Sequence, residues 1–374
     1  MINFVLFSYV PNTASTNRLL SYIRNIPQEI KVRVFFIMPD KNFSKIKDVP
    51  QNVEVVYCWD KFRCKNKLFK YIFYKLSIQY VKRQLHEKDI VYTYETPSFI
   101  NSLFKKGVKF YSEKTEHPKI VKAESRLIST TLVEHLQICR KLDGIFVIST
   151  ALKEYYIDNG IDEEKIEIIN MTVDPIRFNN LEKGNVADKY IAYCGSATNN
   201  KDGVDKLIKS FAILRNKFHD IKLYIIGKSY SHTDGDSNYK LAQNLGLIDS
   251  IVFTGSVPSE EMPQLLKNAE ALALNRPDSL QALCGFPTKL GEYLLTGNPV
   301  VVTTVGDIPK FLEDGVSALL APPTDDNAFA EKLIWILEHP KEAETIGLKG
   351  REVAMNCFNA KVEVNKMLNF MTKQ

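Results

Sequence analysis

The sequence predicts an α/β fold built as two doubly wound parallel-sheet domains, and three observations lead there. A chain of 374 residues is long for a single hydrophobic core. Apolar runs of strand length alternate with helical patterns, which is how parallel βαβ units read in sequence. The runs form two sets, separated by "VDPIRFNNLEKGNVADK" (173–189), a stretch of Pro, Gly, Asn and charge without periodicity. The expected plan is an N-terminal domain over 1–175, a linker over 176–188, a C-terminal domain over 189–355, and a last helix over 356–374 packing back on the first domain.

In chain order, the strands expected of the first domain are "INFVLFSYV", "KVRVFFIM", "VEVVY", "DIVYTY", "VKFYS", "GIFVIS" and "IEIIN". Those of the second are "YIAYCG", "KLYIIG", "SIVFTG", "ALALN", "PVVVT" and "SALLA". After "YIAYCG", residues 203–218 set Val204, Leu207, Ile208, Phe211, Ala212 and Leu214 on one face and lysines opposite, as in an amphipathic helix lying on a sheet. Two such sheets are expected to leave a cleft between the carboxyl ends of their strands, where open α/β folds bind ligands.

Composition excludes several classes of function. With 45 % hydrophobic and 25 % charged residues the chain is globular rather than disordered. The six cysteines (Cys58, Cys64, Cys139, Cys194, Cys284, Cys357) form no C-x-x-C pair and stand near no histidine at metal-ligand spacing, so they read as reduced thiols of a cytoplasmic protein. "MINFVLFSYVPN" lacks the basic segment and cleavage site of a secretory leader, and no apolar run approaches the length of a membrane span. "DGD" (234–236) sits in a polar stretch and reads as a turn, while "GKS" (227–229) has Lys222 where a phosphate-binding P-loop needs glycine.

Charge is uneven in one place. Residues 61–88, "KFRCKNKLFKYIFYKLSIQYVKRQLHEK", hold nine Lys or Arg against the single Glu87, interleaved with Phe62, Phe69, Tyr71, Phe73, Tyr74 and Tyr80. This is the pattern of an element that lies on an anionic membrane surface, and equally of a domain helix whose aromatic face packs inside. Nucleic acid is not expected as a partner, because no recognised module accompanies the charge.

"LDGIFVISTALKEYYIDNGIDEEKIEIINMTVD", "YIAYCGSATNNKDGVDKLIKSF", "LYIIG", "IVFTGSVPSEEMPQLLKNAEALALN" and "GFPTKLGEYLLTGNPVV" follow one another over roughly 142–340. In that order they resemble the retaining nucleotide-sugar glycosyltransferases of the GT-B fold, with two Rossmann-like domains facing a central cleft. The resemblance is to the family-4 group, glycosyl transferases group 1. It implies an enzyme that moves a sugar from a nucleotide-sugar donor to a saccharide or lipid-linked saccharide acceptor in surface polysaccharide synthesis. It implies neither metal nor cofactor, the nucleotide sugar being a substrate, and a cytoplasmic protein that can sit peripherally on the plasma membrane.

Site residues follow from the same resemblance. Gly195 and Ser196 close the first strand of the second domain, and Lys201, six residues on, matches the family's phosphate-binding lysine. Gly285, Phe286, Pro287 and Thr288 form the turn that opens a helix, where backbone amides and the helix dipole suit a diphosphate. On that helix Lys289 is expected near the diphosphate and Glu292 at the ribose hydroxyls, three residues apart and so on nearly one face. Ser256 and Val257 are expected against the nucleobase, with Ser259 capping the next helix. Cys284 stands where the family carries a sugar-supporting glutamate, and Ser196 where many relatives carry arginine. In the first domain "FYSEKTEHPKIV" (110–121) offers Glu113, Glu116 and His117 after a strand, with His117 beside the transferred sugar and Glu116 orienting it or the acceptor. Ser15 or Thr16 is expected to cap the first helix. Cys284 keeps open a catalytically degenerate nucleotide-sugar binder, and a nucleotide-sugar epimerase of the same fold is the other alternative.

Overall fold

The structure, a computed structural model, describes residues 1–11, 13–61, 69–94, 99–124, 131–227 and 237–373. Its chain forms two compact units, one of Met1–Asn170 with Ala360–Gln374 and one of Met171–Asn359.

The first unit holds β1 (Ile2–Leu6), β2 (Val32–Phe36), β3 (Val53–Tyr57), β4 (Ile90–Tyr94), β5 (Lys109–Lys114), β6 (Gly144–Val147) and β7 (Ile166–Ile168). They lie in the order β3-β2-β1-β4-β5-β6-β7, with every pairing parallel. Six of the seven fall within the apolar runs named above, because β-branched and aromatic residues suit a sheet covered on both faces, while β5 continues two residues past "VKFYS" to Lys114. Phe4, Tyr92, Tyr111 and Phe146 build the core together with Val364, Met367 and Met371 of the helix Ala360–Lys373. Tyr111 donates to the carbonyl of Met371 at 3.2 Å, fastening that helix to the sheet.

Glu113 and Arg18 lie inside this core. Glu113 is a strand residue of β5, not part of the loop beyond it as expected, and its Oε1 accepts from Arg18 Nε (2.9 Å), Arg18 Nη2 (2.7 Å) and Tyr22 OH (2.7 Å), while Oε2 accepts from Tyr92 OH. The first helix, Ala14–Asn25, is capped by Thr13 rather than Ser15 or Thr16, the Thr13 side chain accepting from the Thr16 amide at 3.3 Å. The helix Lys70–Gln84 buries only Ser77, Ile78 and Val81. Phe69, Tyr71, Ile72 and Leu76 stay exposed, while Phe73 and Tyr74 are half-buried. The rest of the basic stretch, 62–68, lies outside the described residues.

The second unit repeats the plan with β8 (Lys189–Cys194), β9 (Ile221–Ile226), β10 (Ile251–Gly255), β11 (Ala271–Leu274), β12 (Val300–Thr303) and β13 (Leu319–Ala321). Their order, β10-β9-β8-β11-β12-β13, is again all parallel. The helix Val204–Arg215 buries Val204, Leu207, Ile208, Phe211 and Leu214, each large side chain contributing roughly 1.5–3 kcal/mol by leaving water. The aperiodic stretch 173–189 is held to this unit by separate contacts: Val173 N–H to Phe358 O (3.1 Å), buried Phe178 in the 3₁₀ turn Pro175–Phe178, and Gly184 N–H to Asn268 Oδ1 (2.9 Å).

Candidate functional site

In the second sheet the direction of winding reverses between β8 and β11, so the turns leaving those two strands diverge and open a ligand position at their carboxyl ends. The turn after β8 carries Gly195 and Ser196; the one after β11 carries Asn275, Arg276 and Pro277. Gly195 has φ 144°, a backbone region that favours glycine, and a Cβ there would push the Lys289 ammonium from the place it takes at the strand end.

Lys289 Nζ lies 2.5 Å from Asp202 Oδ2 and 2.9 Å from Tyr193 OH, with the Tyr193 ring centroid at 4.6 Å. Burial pulls its pKa below the ordinary value, Asp202 opposing that pull. Tyr193 OH is also within 2.8 Å of Asp202 Oδ2, so the three groups close a ring. Asp202 ends the short helix Asn199–Asp202, which also carries Lys201. The chain leaves it through Gly203 at φ 63°, where a Cβ would overlap the Asn275 carbonyl. That close approach brings Arg276, fully buried, to donate through Nε to the Lys201 carbonyl at 3.3 Å. Tyr293 OH accepts the Cys194 amide at 2.5 Å and pins the helix Thr288–Leu295 to the end of β8.

Glu292 stands one turn further along that helix. Its Oε1 is 2.5 Å from Arg177 Nη1, and Arg177 Nη2 donates to the Ser259 carbonyl at 2.9 Å. Burial raises the Glu292 pKa above its ordinary value, and Arg177 works against the rise. The Ser259 backbone links this pair to the loop after β10, where Ser256 is exposed and Val257 half-buried. Ser259 does not cap the next helix: that helix is Met262–Asn268, it follows Glu261, and no side chain caps it.

Two glycine amides of the expected donor site are already engaged. The Gly195 amide bonds to Ile226 O at 2.8 Å and the Gly285 amide to Gln281 O at 3.1 Å, so neither is available to an anion. Phe286 packs its ring on Phe311 and Phe358, both at 5.5 Å. Pro287 precedes the helix without a side-chain cap, leaving the first-turn amides at Thr288 and Lys289 as the donors the helix presents. Cys284 is buried at the end of the helix Leu280–Cys284.

In the first unit, His117 follows β5 and begins the helix Pro118–Glu124. Its Nδ1 accepts the Lys119 amide at 3.2 Å, and its ring meets Tyr155 edge-on at 4.3 Å. Burial, with Lys119 adding to it, lowers its pKa, so the neutral ring carries its proton on Nε2. The group at Nδ1 is thus a backbone amide, and the neighbouring Glu116 side chain is half-buried. His135 bonds Tyr156 OH at 2.9 Å, and burial, then Lys114 and His117, hold it down at about 3.

The sequence reading missed Tyr193, Asp202, Arg276 and Arg177. Asp202 adjoins Lys201, and Arg177 follows Asp-Pro, an N-cap signal for a helical turn inside a stretch read as linker. Among the described residues no group of three or more His, Cys, Asp or Glu is placed to hold a metal ion, and no helix is long and apolar enough to cross a membrane. "DGD" and most of "GKS" lie outside those residues.

Residues 177–353 match the family Glycosyl transferases group 1. The chain has the GT-B fold and is related to that family of glycosyltransferases. It is 26 % identical over 225 residues to an MMP alpha-(1->4)-mannosyltransferase of Mycolicibacterium hassiacum, covering 60 % of this chain and 52 % of the relative. It is 28 % identical over 179 residues to a GDP-mannose-dependent alpha-(1-6)-phosphatidylinositol monomannoside mannosyltransferase of Mycolicibacterium smegmatis, covering 47 % and 46 %. The matched region thus spans about half the length of these curated relatives. Among solved structures, Anabaena HepE in complex with UDP superposes with a TM-score of 0.74 at 17 % identity, covering 100 % of both chains.

Proposed function

We propose that the protein transfers a sugar from a nucleotide-sugar donor to a saccharide or lipid-linked saccharide acceptor, with retention at the anomeric carbon, as a family-4 enzyme of surface polysaccharide synthesis. The observation that carries this reading is the Lys289 ammonium, set at the end of β8 in the space that Gly195 leaves and borne by a helix whose first turn has no side-chain cap. A diphosphate seated there meets cation and dipole together. During transfer the bond from the anomeric carbon to the diphosphate oxygen breaks as the acceptor oxygen bonds to that carbon. The acceptor's proton passes to the leaving phosphate. Lys289 and Lys201 stabilise the charge that builds there, and Glu292 receives ribose hydroxyls.

His117 and Glu116 are the candidates for the acceptor side. A lipid-linked acceptor is supported by the exposed Phe69, Tyr71, Ile72 and Leu76 beside Lys70 and Lys75, and by the name of the phosphatidylinositol-directed relative. The test is a panel of nucleotide sugars read by thermal stabilisation and by donor hydrolysis. A donor that stabilises the protein and is slowly hydrolysed is expected, and Glu292→Ala should weaken its binding about tenfold with the fold intact. Binding without transfer or hydrolysis would favour the degenerate reading that Cys284 suggests.

A further inference from the structure

We propose that Arg177 is the positioning residue of the nucleotide site, aiming the Glu292 carboxylate at the ribose and tying it to the loop after β10. This rests on the nucleotide-sugar reading above and adds a residue to it. The guanidinium forks: Nη1 to Glu292 Oε1 at 2.5 Å and Nη2 to the Ser259 carbonyl at 2.9 Å, with Ser259 Oγ at 3.4 Å. A planar fork with one arm on a carboxylate and one on a backbone carbonyl fixes both in one plane, which a lysine cannot do.

Arg177 is itself held in place. It sits in the 3₁₀ turn Pro175–Phe178, started by Asp174 Oδ1 accepting the Ile176 amide at 3.1 Å, and the Phe178 side chain is buried. Side-chain exposures of 29 % for Arg177 and 28 % for Glu292 leave the pair within reach of a ligand, unlike a core ion pair. Among the described residues Arg177 is the carboxylate's only bonded partner, and it takes Oε1. The second oxygen, Oε2, keeps its acceptor sites for the two hydroxyls of a ribose. Because burial alone would favour the protonated acid, Arg177 also keeps Glu292 in the accepting form.

The experiment is calorimetric titration with UDP, GDP and ADP and their 2′-deoxy counterparts, across pH. The proteins are wild type, Arg177→Ala, Arg177→Lys, Glu292→Gln and the Arg177→Ala/Glu292→Gln double variant, with near-ultraviolet circular dichroism confirming the fold. Arg177→Ala should weaken the ribonucleotide about tenfold, as loss of one charge-assisted hydrogen bond does, and weaken the deoxynucleotide far less. The pH at which affinity fails on acidification should move upward in Arg177→Ala, Arg177→Lys should recover part of the loss, and the double variant should bind no worse than Glu292→Gln. Equal weakening of ribo- and deoxynucleotides with an unmoved pH profile would reduce Arg177 to a clamp on its own turn and overturn the inference alone. Wild-type protein that binds none of the nucleotides would overturn the nucleotide-sugar reading, and the inference with it.

Discussion

The two units share a strand order but hold their ion pairs at different depths. In the first, Arg18 and Glu113 are 4 % and 0 % exposed, and every arm of the pair is met: two tyrosine hydroxyls on Glu113, and the carbonyls of Ile169 and Asn170 on Arg18. In the second, Arg177 and Glu292 stand half open at the rim, with one carboxylate oxygen taken. A buried pair with all its bonds made has nothing left for a ligand. A rim pair with spare acceptor capacity does, and this separates Glu113 from Glu292 although both end up salt-bridged.

The sharpest way to break that contrast is to break the core pair. Glu113→Ala leaves the Arg18 guanidinium buried without its counter-charge and should cost about 3–5 kcal/mol, read as a drop in the urea midpoint. Stability close to wild type combined with lost transfer would place Glu113 among the working groups and dissolve the distinction.

Lys289 tests the other side. Lys289→Ala should lower turnover roughly a hundredfold or more, by removing charge stabilisation that matters most as the diphosphate leaves, with a smaller change in donor affinity. A rise in KM with turnover unchanged would make Lys289 a ground-state binding group only.

These contrasts were only partly legible in the sequence. All of the strands could be read because parallel strands buried on both faces are continuous apolar runs, and Gly, Pro and polar stretches mark their ends. The partners of the charged residues could not. Arg177 and Glu292 are 115 positions apart and Lys289 and Asp202 are 87 apart, so no local period links them. Glu113 was misread for a related reason: a carboxylate at a strand end looks like loop chemistry until Arg18, 95 positions earlier, is seen to neutralise it. The engaged amides of Gly195 and Gly285 were equally hidden, since glycine in a turn says nothing about where its N–H points.

A third prediction concerns the surface of the first unit. Phe7 is exposed with its ring 6.4 Å from that of Tyr74, and Lys75 lies over the Tyr71 ring at 5.3 Å, so apolar and basic groups share one face of the helix Lys70–Gln84. Wild-type protein should co-sediment with vesicles containing anionic lipid, less so as salt rises, each lysine near the surface contributing about 1 kcal/mol. Lys70→Glu with Lys75→Glu should weaken that binding and leave transfer to a soluble acceptor unchanged. Wild-type protein remaining in the supernatant at low salt would remove the support for a membrane surface.

The smallest effect probes how completely the core network is satisfied. Glu363, 4 % exposed on the last helix, accepts the Asn170 amide through Oε2 at 2.8 Å and Asn170 Nδ2 through Oε1 at 3.1 Å, and the carbonyl of the same Asn170 accepts from Arg18. Burial raises the Glu363 pKa, with the Asn170 amide and Lys366 opposing. A carboxyl whose folded pKa lies above its unfolded value binds more protons folded than unfolded between the two, so its contribution to stability falls as pH rises through that window. Glu363→Gln keeps an acceptor for the Asn170 amide and removes the titration. Its melting temperature relative to wild type should therefore shift in the favourable direction between about pH 4, near the unfolded pKa of a glutamate, and neutrality. A difference that stays constant with pH, or moves the other way, would mean that the hydrogen bonds from Asn170 outweigh burial and that Glu363 belongs with Glu113 as a fully compensated core charge.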